Sequence, residues 1–299
     1  MSAARSTLAA SLFLGLAVVL AAGAATLPAR GDDAKPGDTK PGDTKPGDAK
    51  PAATPSAGTG ASASAGASGA GRLTIATDAG TVACREQAAQ AFLIRGNWFP
   101  RTNDADKQKE ARKLFEESLR YRTEKYGYFE GYGSPKLNPH PPKHYAKSMT
   151  FMGMSVQVNE RIIPAMKCVE AALKAGPAGN EYHPHAMGGI RFHNTYRGME
   201  ISNHVYGIAI DIEPDRNSCC GCVAPWPDHP LCKAKNKTVW ERMAMPKSWV
   251  DTFERFGFYW LGHDVLQDTM HFEFLGDPDK VTEPANSGAP LPAGAVASP

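Results

Sequence analysis

From Pro36 to Gly71 the chain carries no apolar side chain larger than alanine or proline. Such a stretch has nothing to bury, so it stays out of any core and confines folding to the residues beyond it. It opens with three copies of a pentad, Pro36-Gly37-Asp38-Thr39-Lys40, Pro41-Gly42-Asp43-Thr44-Lys45 and Pro46-Gly47-Asp48-Ala49-Lys50, and continues in Ala, Ser and Gly. In a polyproline-like form, at about 3 Å per residue, it would reach on the order of 100 Å. Together with the Pro/Ala-rich end after about Lys280 it holds much of the 24 prolines, so whole-chain composition misleads. The expected division is a signal peptide at 1–25, a disordered tether at 26–77, one folded domain at 78–280 and a disordered tail at 281–299.

Arg5 precedes an apolar run from Leu8 to Ala22, and Ala22, Gly23, Ala24 and Ala25 are the small residues a signal peptidase needs. The chain is therefore expected to be exported, to a periplasm or a cell envelope. Uncleaved, the run is near the shortest that spans a bilayer and would act as a membrane tether. No cysteine stands near Ala25, which argues against a lipid anchor. The net charge of +2 is close to balance, and no basic stripe or nucleotide loop is present, so neither nucleic acid nor nucleotide is an expected partner.

Two segments some sixty residues apart carry the chemistry. In the first, Ile208, Ile210 and Ile212 alternate with Ala209, Asp211 and Glu213, the period of a half-buried strand. In the second, Met270, Phe272 and Phe274 alternate with His271 and Glu273. Side by side, the two strands would bring Asp211 and His271 to one surface, and Gly207 would let His204 turn back over that face. Two imidazoles and one carboxylate suit Zn²⁺, and three protein ligands leave a fourth position for water.

The pattern S-x-H-x-x-G-x-A-x-D followed by D-x-x-H is present at Ser202, His204, Gly207, Ala209, Asp211, Asp268 and His271. In it the chain resembles the zinc D-alanyl-D-alanine carboxypeptidases of the VanY type and their relatives, the L-alanyl-D-glutamate endopeptidases of phage lysins. The resemblance covers roughly residues 145 to 276. It implies His204, Asp211 and His271 as metal ligands and Asp268 as the general acid/base, with zinc-activated water as the nucleophile. It also implies the hedgehog/DD-peptidase fold, an α+β arrangement of a small antiparallel sheet with flanking helices. Relatives hold the substrate with an arginine upstream of the histidine motif; Arg197 is preferred here over Arg191, with Ser202 also expected at the substrate. Glu273 shares the His271 face and rivals Asp268 as the base, but the three-residue spacing favours Asp268. Glu273 is then read as a group that orients a ligand, or as a plain surface glutamate.

The implied partner is a peptidoglycan stem peptide, most naturally one losing its terminal D-alanine. Scission between L-Ala and D-Glu is the alternative within the enzyme class, and a zinc-holding cell-wall binding module is the alternative outside it. A surface protein whose tether and tail are its purpose ranks last. Asp268 favours an enzyme, because a binding module needs the three ligands and has no use for an acid/base beside them.

The remaining expectations are coarser. Residues 104 to 126 read as an amphipathic helix with Ala111, Leu114, Phe115, Leu119 and Tyr121 inward. Residues 149 to 158 read as strands turning at Gly153, and 158 to 174 as a helix with Pro164 in its first turn. Residues 180 to 197 read as loop, and 240 to 258 hold a further helix. Six cysteines in an exported chain favour disulfides, with Cys84 joined to Cys168 and the group Cys219, Cys220, Cys222 and Cys232 closing its own loop. A second zinc held by those last four is the rival. Of the other histidines, His183, His185 and His193 line a groove or face solvent, and His263 is the best spare for a supporting role.

Overall fold

The computed structural model describes residues 72–78, 80–98, 103–196, 200–223, 225–234 and 237–285. The signal segment, the repeats, the tail beyond 285 and Arg197 lie outside the described residues. Strands β1 (Thr74–Thr77) and β2 (Gly80–Cys84) form a hairpin, followed by helix α1 (Ala105–Tyr126). Next come the hairpin of β3 (Ala146–Phe151) and β4 (Met154–Asn159), helix α2 (Ile163–Ala175) and the single turn α3 (Ala178–Glu181). The two-residue strand β5 (Met187–Gly188), a one-turn helix α4 (Asn203–Tyr206) and β6 (Ala209–Ile212) carry the chain into the first chemical motif. A short turn α5 (Pro230–Lys233), helix α6 (Lys247–Arg255), β7 (Phe258–Trp260), β8 (His271–Phe274) and β9 (Thr282–Pro284) complete it.

The central sheet has the order β5-β6-β8-β7 and every pairing in it is antiparallel. Small antiparallel sheets flanked by helices make the fold α+β, as expected from the sequence. The register pairs Asp211 with His271, Ile210 with Phe272 and Ala209 with Glu273. One face of β6 and β8 packs into the core, where the ring of Phe272 stacks on Phe253 of α6 at 4.4 Å between centroids. The other face was expected to be open, yet all eight residues of the two strands are buried. Asp211, His271 and Glu273 are thus withdrawn from bulk water and held by one another and by elements laid over the sheet.

Helix α1 starts where Asp104 caps it, its carboxylate accepting from the N–H groups of Asp106 and Lys107. Its buried face differs from expectation. Leu114, Phe115, Leu119 and Tyr121 are only partly covered, whereas Ser118, Arg122 and Thr123 are fully buried alongside Ala111 and Tyr126. The helix turns this polar stripe inward because Arg122 lies against the rings of Trp98 and Tyr206, 4.8 and 5.2 Å from their centroids.

Both ends of the folded region reach further than composition suggested. Thr74–Thr77 and Thr282–Pro284, placed by composition in the tether and the tail, are strands on either side of β2 in a sheet ordered β1-β2-β9. That sheet is stapled to α2 by the disulfide Cys84–Cys168, as expected. Among the described residues no helix is long and apolar enough to cross a membrane.

Candidate metal centre and active site

His204 sits on α4, a single turn that local sequence determines. Ser202 caps it by accepting the N–H of His204, and Gly207 ends it in the left-handed region at φ 70°. A side chain at Gly207 would stand 2.8 Å from the backbone nitrogen of Asn159, whose N–H donates to the Gly207 carbonyl. Ser202, expected at the substrate, is only 2% exposed and spends its hydroxyl on this cap.

The turn lays His204 over the β6–β8 pair. Its Nε2 lies 3.1 Å from Asp211 Oδ2 and 3.1 Å from His271 Nδ1, and His271 Nδ1 lies 2.8 Å from Asp211 Oδ1. One ligand atom from each of His204, Asp211 and His271 falls within 4.8 Å of the others. The outer nitrogens are spoken for. His204 Nδ1 is 2.7 Å from the Gly189 carbonyl and His271 Nε2 is 3.1 Å from Glu273 Oε1, so each ring keeps its proton outside. With a cation in place of the proton between them, the two inner nitrogens would turn lone pairs toward it beside Asp211, a donor set that fits a divalent ion such as zinc.

Charges at this centre are strongly coupled. Burial works against a charged His271, but hydrogen bonds to Asp211 and Glu273 raise it to about 10. Asp211 is pushed upward by burial and downward by His204 and His271, and the imidazoles win, holding it well below the ordinary carboxylate range. His204 is lowered, chiefly by burial. In the metal-free protein a proton therefore occupies the place a cation would take.

Asp268 lies at the edge of this cluster. Burial, with the Asp211 charge adding to it, raises its carboxyl to about 7 against the opposing pull of His271. Its Oδ1 is sealed from solvent and has no hydrogen-bond partner among the described residues. Such an atom costs stability unless something that comes and goes satisfies it. Cys219 pairs with Asp268 in an isolated antiparallel bridge, and Thr269 donates from both N–H and Oγ to the Ser218 carbonyl. The cysteine insertion thus walls the site on the Asp268 side. It is closed by Cys219–Cys222 and Cys220–Cys232, so all four thiols expected as rivals for a second zinc are in disulfides.

Behind His271 runs a buried polar chain that sequence reasoning missed. The Asn203 side chain helps to lower the Glu273 carboxyl, and Arg122 Nη1 donates to Asn203 Oδ1 at 3.0 Å. Burial alone would raise Glu273, but His271, Asn203 and the Arg122 charge keep it lowered and ionised. The signal was present in α1: Arg122 follows Ala111 and Ser118 and precedes Tyr126 at spacings of seven, four and four, a charge set in a buried stripe.

Arg191 is brought to the site by its own N–H, which donates to the His204 carbonyl at 2.9 Å. Its guanidinium pairs with Asp211, so of the two arginines expected at the substrate Arg191 stands at the centre. His183, His185 and His193 are exposed, in keeping with solvated side chains, and His263 pairs with Glu254 at 2.9 Å instead of with the site.

Residues 196–274 match the model of a protein family described as D-alanyl-D-alanine carboxypeptidase. The matched stretch takes in His204, Asp211, Asp268, His271 and Glu273 and leaves out Arg122 and Arg191. The chain matches no curated protein and no solved structure.

Proposed function

We propose that this protein is an exported zinc peptidase that trims peptidoglycan stem peptides, releasing a terminal D-alanine. The observation that carries the reading is the convergence of His204 Nε2, His271 Nδ1 and Asp211 beside a carboxyl group held near pH 7. The family match supports a peptidase of the cell wall.

His204, Asp211 and His271 would hold the ion. When bound, zinc acidifies water and polarises a carbonyl. The protein's own groups supply the rest. Asp268 takes a proton on Oδ1, the unpartnered oxygen, as water attacks the peptide carbonyl, and returns it to the departing amine nitrogen. A carboxyl group with a pKa of about 7 is suited to both halves of that task. Glu273 would keep the His271 proton on Nε2 and so leave the Nδ1 lone pair free to ligate. Arg191, whose guanidinium pairs with Asp211, would donate to the substrate's carboxylate or carbonyl oxygen.

The test is to incubate the full chain with purified muropeptides, with and without a chelator, and to read products by mass beside Asp268→Ala. Chelator-sensitive release of D-alanine that is absent in the variant supports the reading. Scission after L-alanine moves the assignment to the endopeptidase. Intact substrate with one tightly held zinc per chain overturns the enzyme in favour of a binding module.

A further inference from the structure

Away from the metal centre, Arg191 and Val205 open into a trench walled by the segment that links α1 to β3. Its inner part is a cavity of about 340 Å³, and a second cavity of about 580 Å³ continues it outward, the two sharing Pro141, Lys143 and Phe192. The inner volume is that of a small-ligand pocket, large enough for two or three residues of peptide. The walls are mostly apolar, with Phe129 and Pro139 on one side and Val205 at the inner end. Phe192 stands between the two cavities with 61% of its surface exposed.

The outer wall is preformed. The Tyr128 N–H donates to the His140 carbonyl at 2.8 Å, and Asn138 ties the segment at both ends, donating to Glu124 O and accepting from the Tyr145 hydroxyl. Its charge is one-sided. Lys143 lines both cavities and Arg191 the inner one, against a single carboxylate, Glu130, at the inner rim. Arg191 is already paired with Asp211, whereas Lys143 makes no ion pair with any described residue. An apolar floor that ends in an unpaired ammonium is complementary to a chain that is aliphatic in part and carries a free carboxylate.

We propose that this trench is a substrate subsite that binds the peptide adjoining the scissile bond, seating its aliphatic part on Phe129 and Phe192 and a free side carboxylate at Lys143. The inference rests on the peptidase reading, and it assigns specificity to a segment that lies outside the stretch matched to the family. Neither Lys143 nor Phe192 forms a hydrogen bond or ion pair with His204, Asp211 or His271, so they act on binding and leave the chemical step alone.

The test uses the full-length, zinc-loaded protein and one pair of peptides, acetyl-L-Ala-γ-D-Glu-L-Lys-D-Ala-D-Ala with its glutamyl α-carboxylate free or amidated. Wild type is expected to show the lower KM for the free acid. Lys143→Glu raises that KM about tenfold and abolishes the preference with kcat unchanged, and Phe192→Ala raises KM for both peptides. Equal KM values in wild type, or a preference that survives Lys143→Glu, overturn the subsite. Should wild type cleave neither peptide, the peptidase reading fails. The subsite is then judged by calorimetry with the same two peptides, where acid-selective binding lost in Lys143→Glu upholds it and equal or absent binding sinks it.

Discussion

Glu273 Oε1 lies 3.1 Å from His271 Nε2, across the ring from Asp211. The two residues are two places apart on β8, so the period of a strand puts both on the same face, and the imidazole is gripped from opposite sides. That grip decides which nitrogen carries the proton and thus which one is a ligand. Glu273→Gln keeps the shape and removes the charge. Zinc affinity, measured by competition with a chromophoric chelator, is expected to fall about 10- to 100-fold, while the metal-free fold survives. Unchanged affinity would show that Glu273, 2% exposed and so no surface glutamate, does not orient the ligand.

The Arg122–Asn203–Glu273 chain makes a separate prediction about stability. Arg122 is 1% exposed and Glu273 is 2% exposed, and His271 is the main partner of that carboxylate, so removing the cation takes away the remaining part of its compensation and strands the Asn203 side chain that Arg122 holds. Arg122→Met is expected to cost on the order of 3 kcal/mol in urea unfolding of the metal-free protein. The pair Arg122→Met with Glu273→Gln should cost less than the sum of the single changes, because the second substitution removes the charge that the first one strands. Strict additivity would show that Arg122 serves only to pack against Trp98 and Tyr206.

Asp268 sets the pH dependence. As a base it must be ionised, so kcat/KM is expected to fall about tenfold per unit below its pKa, which is about 7 without metal. A bound cation shifts this limb toward lower pH, never higher. Asp268→Asn should lose about 10² to 10⁴ in kcat and the limb with it, with zinc still held. Stability has the opposite sign. A carboxyl group whose folded pKa lies above its unfolded value favours folding fully only below the unfolded pKa, and that contribution is lost as pH rises through about 7. Metal-free Asp268→Asn is therefore expected to melt higher than wild type at pH 8.5 and no higher at pH 4. The same midpoint difference at both pH values would rule out a buried, raised carboxyl group.

What could be read in the sequence was local. Alternation along Ile208 to Glu213 and Met270 to Phe274 is a property of neighbours, and it is enough to set Asp211 and His271 on one surface once the strands pair. Ser202 and Gly207 likewise act within one turn, although the cap they form uses up the Ser202 hydroxyl. The Arg122 contact was legible only by half: the spacing of Ala111, Ser118, Arg122 and Tyr126 puts the charge on one stripe of α1, but its partner Asn203 lies 81 residues away and nothing local names it. Arg191 was in view as a candidate, but its pairing with Asp211 depends on the backbone bond to His204, 13 residues on. The trench was invisible because its walls come from the α1–β3 segment and the loop before α4, and a cavity is a property of two surfaces.

The outer strands β1 and β9 were missed because Thr74-Ile75-Ala76-Thr77 and Thr282-Glu283-Pro284 have little apolar content and adjoin low-complexity sequence. Their pairing with β2 makes a prediction about domain limits. A fragment of residues 78–280, the span that composition indicates, would leave β2 without either neighbour and delete Ile75 and Val281, which are 7% and 1% exposed. Burial of two such side chains is worth about 3–6 kcal/mol, which at about 2–4 °C per kcal/mol predicts a melting temperature lower by roughly 10 °C. A fragment of residues 72–285 should match the full chain, since it keeps both strands and the Cys84–Cys168 bridge fastening their sheet to α2. Equal melting of the two fragments would mean that the β1-β2-β9 sheet does not contribute to the fold, and the shorter limits would stand.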